Sequence, residues 1–282
     1  MAQIDHDFGT LLAALKRHTL RSSRVLSSSD GIDASLCTLY YALRLLHSRL
    51  THMLEVSYER MADEIVVRAS KTMMPGEIVG ANLEPPYVKL RDSCESARAA
   101  GVTIYKIRCF LRLWGLVRIS VSVRTTYTRP PHDPIIKLLA WLQIGAKSTY
   151  QVLENGAFLA RVGIFRSKSW QTRESRWWAW SNRAYMVSVL LNVLRLLRVR
   201  QLQYNEEFGA QGKATRENTE IQSEELQQRW ARDLCATIGW IAPTLYLSYE
   251  DPLESPVSES WMGISGIVPG IIALQDVWRR TK

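Results

Sequence analysis

The stretch TIYKIRCFLRLWGLVRISVSVR, residues 103–124, sets an Arg or Lys into an apolar run every few positions. Wound as a helix at about 100° per residue, it puts Ile107, Phe110, Leu111, Leu113, Trp114 and Val117 on one broad arc, with Ile104 at its edge. Arg108 and Arg112 stack one turn apart on the opposite side, and Lys106 falls near the boundary, where its long stem can snorkel. This layout supports the chemistry of an interfacial helix: an apolar face among acyl chains, with Lys106, Arg108 and Arg112 on lipid phosphates. Arg118 falls inside the apolar arc, so the pattern ends at Val117 or the helix rotates there. A bundle helix with a solvated Arg face has the same spacing, and both readings stand at this point.

Other chemistry finds little support. His6, His18, His47, His52 and His132 are scattered, without a nucleophile elbow, a phosphate loop or metal-ligand spacing, so neither an enzyme nor a bound cofactor or metal is expected. Glu154 and Asn155 in LENG lie in an apolar helical context, where they more often hydrogen-bond to a neighbouring helix than catalyse. Cys37, Cys94, Cys109 and Cys235 are single and far apart, which suits reduced thiols in a cytosol-facing protein and argues against zinc.

Charge is concentrated in the middle of the chain. Between Lys106 and Arg200 seventeen Lys/Arg stand against Asp133, Glu154 and Glu174, a local +14 on a chain of net +9, so the remainder carries about −5. A basic middle predicts an anionic partner, and the long apolar segments between the charges favour anionic membrane lipids. Basic residues interleaved with Trp could also track phosphates and stack bases, but no reader motif accompanies them, and nucleic acid is not the expected partner.

The elements that must position these residues read as all-α: a membrane-associated helical bundle with amphipathic helices and a C-terminal transmembrane helix or hairpin. Residues 1–32 suggest a short helix and a Ser-rich linker. Its N-terminus lacks the long apolar core of a secretory signal. Residues 33–200 form the basic amphipathic region. Within it, Leu36, Leu39, Tyr40, Leu43, Leu46 and Leu50 recur at steps of three and four behind Asp33 as an expected N-cap. A loop is expected over 71–101, a break at Pro130, Pro131 and Pro134, and a helix over 135–164. Another loop at an interface is expected where Trp170, Trp177, Trp178 and Trp180 sit among basic residues. Ala184 to Val199 is apolar enough to bury in a bundle or lie among headgroups. Residues 201–232 have the composition of a polar cytosolic linker.

Residues 233–282 hold two apolar runs, Leu234 to Tyr249 and Trp261 to Trp278, the second with Asp276 as its only charge. Eighteen helical residues cover roughly 27 Å, near the thickness of a bilayer core. Trp261 and Trp278 stand where interfacial aromatics would, Gly263, Gly266 and Gly270 offer a smooth packing face, and Pro269 can kink the helix without forbidding insertion. The joining loop is acidic and the outer flanks are basic, which predicts that both outer ends face the cytosol. A soluble core hairpin is the alternative.

YQVLENGAFLARVGIF at 150–165, WWAWSNRAYMVSVLLNVLRLLRVRQ at 177–201, GISGIVPGIIALQDVW at 263–278 and DASLCTLYYALRLL at 33–46 together resemble the peroxisomal biogenesis factor 11 family, in order along the chain. Its divergent gamma-like or fungal C-type branch is the nearer match, although the Pro-containing region at 71–101 departs from the better-known members. The resemblance implies a peroxisomal membrane protein that remodels and elongates the membrane and promotes fission, in some members through an amphipathic helix inserted in one leaflet. It implies dynamin-type fission machinery, a peroxisomal membrane-protein import receptor, and homo- or hetero-oligomers with family members as partners. A metabolite pore lined by Arg side chains is the alternative within a membrane. For oligomers, Gly263, Gly266 and Gly270 are the expected face.

Overall fold

In a computed structural model of the protein, residue 16 and residues 19–72, 87–210 and 216–281 are described, and among them all regular structure is helical. The chain runs through α1 (Ser29–Thr72), α2 (Val88–Arg112), α3 (Gly115–Thr128), α4 (Pro134–Arg161), α5 (Lys168–Ala210), α6 (Arg216–Gly239), the short α7 (Ile241–Tyr246) and α8 (Glu259–Arg280). Helix α4 packs along α5, and α1 packs along both α2 and α8. Most of residues 1–18 lie outside the described part.

Helix α4 starts as the sequence dictates. Asp133 accepts a hydrogen bond from the Ile136 amide at 2.9 Å, and Pro134 fills the first turn, where its missing N–H costs nothing. Arg198 of α5 donates to the other Asp133 oxygen at 2.8 Å, so one carboxylate caps a helix and ties it to its neighbour. Those hydrogen bonds, Arg198's first, hold the Asp133 carboxyl below its ordinary value.

Several expected loops are helix. Residues 88–101 belong to α2, because Cys94, Ala97 and Gly101 give it a narrow buried face against α1. Residues 168–182 open α5, whose first turns are fixed by aromatic contacts: Trp170 meets Phe165 and Trp177 at 4.6 Å, and Trp178 packs edge-on to Tyr105. Residues 201–210 and 216–232 continue α5 and α6, so polar composition there marks helix. Asp33 lies inside α1, which begins at Ser29, and is no N-cap.

The C-terminal runs differ from each other. The first is broken between α6 and α7 around Trp240. Only α8, among the described residues, is long and apolar enough to cross a membrane, and about a third of its most apolar window is buried. Its glycines seat against α1: Gly263 faces Leu45, Gly266 the Tyr41 ring and Gly270 Thr38. The expected packing face is thus occupied within the chain, leaving little of it for a second copy. Arg44 of α1 pairs with Glu259 at 3.1 Å, Arg232 of α6 with Asp276 at 3.1 Å, and Ser265 donates to the Gly239 carbonyl at the end of α6. Cys37, Tyr40, Tyr41, Tyr246 and Met262 form the buried core beside this seam.

Two outcomes follow from these contacts. Gly266→Ala places a methyl in the Tyr41 ring, which is buried in the core and cannot swing out to solvent; thermal unfolding of the purified protein should show a loss of about 1–3 kcal/mol. Asp133→Asn keeps an N-cap but loses the ion pair. Because the folded Asp133 pKa is depressed, its contribution is fully present above about pH 4 and fades as the pH falls further through the lowered value. The variant should melt below the parent at pH 6, and the two melting temperatures should converge in acid.

Candidate membrane-facing elbow

The stretch that opens the sequence argument is two helices. Helix α2 stops at Arg112, α3 starts at Gly115, and Leu113 and Trp114 form an elbow between them. The break therefore comes three residues before Val117. Two amides from α4 hold it: Gln151 donates to the Arg112 carbonyl at 2.9 Å and Asn155 to the Leu113 carbonyl at 3.3 Å, while Gln151 also bonds Asn155 at 2.7 Å. These bonds satisfy carbonyls that the end of α2 would otherwise leave without partners. Gly115 lies so close to Gln151 that any Cβ there would overlap the amide, which explains a glycine at the start of α3.

The two faces of α2 are separated as the periodicity predicts, but the charged one turns inward. Arg108 is only 4% exposed and reaches Asp33 of α1 at 3.3 Å. Arg112 donates to Glu154 at 2.9 Å and to the Tyr150 hydroxyl at 2.5 Å, and Glu154 is itself 4% exposed. Burial works against the Arg112 charge, and the adjacent Glu154 carboxylate more than offsets it, so the guanidinium stays protonated. Neither arginine is placed to contact lipid phosphate. Lys106 is exposed. The expected bonds from Glu154 and Asn155 to a neighbouring helix are present. Beside them, Cys109 is buried, which pushes its thiol up to about 12 and leaves it unreactive as a thiolate.

The apolar arc is what the bundle leaves uncovered. Trp114 is 72% exposed, Val117 67% and Phe110 59%, with Ile107 and Leu111 also exposed and Leu113 half-buried. Ile104 departs from the arc and packs against the core cluster. Helix α3 extends the surface through Leu116 and Val121 and buries none of its residues. Similar outward stripes run along α5 (Val187, Leu190, Leu194, Leu197) and α8 (Trp261, Ile264, Val268, Ile271). Opposite them, Ser181, Asn182, Ser188, Thr237 and Thr244 are buried. Trp261 is exposed at the start of α8, and Trp278 near its end lies under the Arg21 guanidinium. The large apolar groups on these outward faces form exposed patches of the kind that mark an interaction surface.

A family model described as peroxisomal biogenesis factor 11 matches residues 90–278, two thirds of the chain, from α2 through most of α8. The chain belongs to this family. Membership implies a role in peroxisome biogenesis and proliferation, and an association with the peroxisomal membrane. It is a family of structural biogenesis factors rather than of known enzymes. The match is to the family as a whole and not to one branch. No curated protein and no solved structure matched the chain.

The Arg112–Glu154 pair gives this site its own test. Glu154→Gln leaves a largely buried guanidinium without a counter-charge and should cost about 3–5 kcal/mol in unfolding free energy. Arg112→Met combined with Glu154→Leu removes both charges and should regain most of that loss, read by the same melting experiment.

Proposed function

We propose that the chain wedges the cytosolic leaflet of the peroxisomal membrane with the α2–α3 elbow, and so promotes elongation and fission. One observation carries this reading: Ile107, Phe110, Leu111, Trp114 and Val117 form an exposed apolar surface that no other helix among the described residues covers. Inserting such a surface among acyl chains removes it from water at about 25 cal/mol per Å². Lys106 and Arg124 stand exposed beside it and supply contacts to anionic headgroups, in place of the inward Arg108 and Arg112.

Helix α8 serves in this reading as the membrane anchor, with Trp261 and Trp278 near the two interfaces. Dynamin-type fission machinery, an import receptor and other family members are its partners. A metabolite pore has less support, since Arg108 and Arg112, the arginines nearest the interior cavity, are each committed to a carboxylate.

The test is a paired substitution, Trp114→Glu with Val117→Glu, in the full chain. Both side chains are exposed, so the melting temperature should change little. Binding to phosphatidylserine-rich vesicles should fall at least tenfold, about 1.4 kcal/mol, and tubulation of those vesicles should be lost. Undiminished tubulation by the double variant would reject the elbow as the wedge.

A further inference from the structure

Behind the elbow lies a second feature that membrane insertion does not require. A cavity of about 600 Å³ opens between α1, the start of α3, α4 and α5, within the range of roughly 300–1,000 Å³ typical of small-molecule sites. Its walls are mostly apolar: Ile32 from α1, Leu111 from the end of α2, and Val117 and Ile119 from α3. Two cationic side chains, Arg112 and Lys147, also line it.

The charges around the cavity are unequally matched. Asp33 is paired with Arg108, and Arg118 with Asp30, so those four groups neutralise one another. Arg112 spends one of its nitrogens on Glu154 and Tyr150, but its Nε is buried and has no hydrogen-bond acceptor. Lys147 has no carboxylate partner among the described residues, and the charged group acting on it is Arg195 of α5, which is also positive. Lys147, exposed and without a carboxylate partner among the described residues, is therefore the cation at the mouth of an apolar space.

We propose that this cavity binds a single-chain amphiphile with one negative charge, such as a long-chain carboxylate. Its acyl chain lies along Ile32, Leu111, Val117 and Ile119, and its head group meets Lys147. The same chemistry occurs in a free fatty acid and in a diacyl anionic lipid of the bilayer. The volume and the single unmatched cation favour the single chain. Such a ligand would touch α3 and α4 together and so brace an elbow otherwise held by two amides. The site shares Leu111 and Val117 with the wedge, but it needs no vesicle remodelling and its test reads none, so the Lys147 and Ile119 variants can fail while the wedge stands.

The test uses the full chain in nanodiscs of neutral phosphatidylcholine, with palmitic acid carrying a photoreactive diazirine on its tail, and adducts mapped by peptide mass spectrometry. Adducts should concentrate on residues 111–119 and around Ile32. Excess palmitate should displace them, and hexadecanol, which lacks the charge, should not. Lys147→Glu should lower the labelling about tenfold, Lys147→Arg should preserve it, and Ile119→Trp, which fills the cavity, should abolish it while the protein melts cooperatively. Displacement by phosphatidic acid but not by palmitate would overturn the single-chain assignment. Labelling spread over the outward stripe of α5, or unchanged in both Lys147→Glu and Ile119→Trp, would overturn the site.

Discussion

The ion pair between Arg112 and Glu154 is the constraint on which the elbow depends. A guanidinium at the last residue of α2 must find its counter-charge inside the bundle, and it finds one only if α4 lies across the end of α2. That same approach brings Gln151, three residues before Glu154, and Asn155, the residue after it, onto the two carbonyls that the break exposes. Rotating α2 to free Arg112 would undo three polar contacts at once and carry Phe110 and Trp114 into the interior. The orientation of the apolar face is thus set by polar bonds on the other side of the helix.

A charge buried in this way contributes more to geometry than to stability. Desolvating a guanidinium and a carboxylate consumes most of what their attraction returns, so the pair is better understood as selecting one rotation of α2 among several that apolar packing alone would tolerate. Arg108 and Asp33 repeat the arrangement one turn earlier against α1. Together they fix α2 from two sides, while α3, with no buried residue, is held chiefly by the elbow and by α4.

How much of this was legible in the sequence depends on the range of the interaction. Asp133–Pro134 announces the start of α4 because capping acts within one turn, and the two-faced periodicity of 104–117 is local as well. The inward turn of Arg108 and Arg112 is not, since their partners lie 75 and 42 residues away in the chain. Solvation alone would send both arginines to water, and only the bundle reverses that preference. Residues 168–182 read as a loop because Trp, Ser and Arg crowd there without clean periodicity. They are helix because Gly156 on α4 leaves room for the Trp177 ring, a fit between two segments that neither one displays. The glycine stripe of α8 was recognisable as a packing surface, but glycines carry no label for what they pack against, and α1 from the far end of the chain takes the place.

That seam between α8 and α1 gives one helix two duties. Trp261, Ile264, Val268 and Ile271 look outward, while Gly263, Gly266 and Gly270 complete the burial of a 44-residue helix near the other terminus. Removing the C-terminal segment would therefore strip Leu45, Tyr41 and Thr38 of their cover as well as deleting the proposed anchor, so a truncated chain that drifts from the membrane reports on folding and anchoring together. The two ends of the sequence behave as one piece of the molecule, closed by contacts in which the smallest residue makes room for some of the largest.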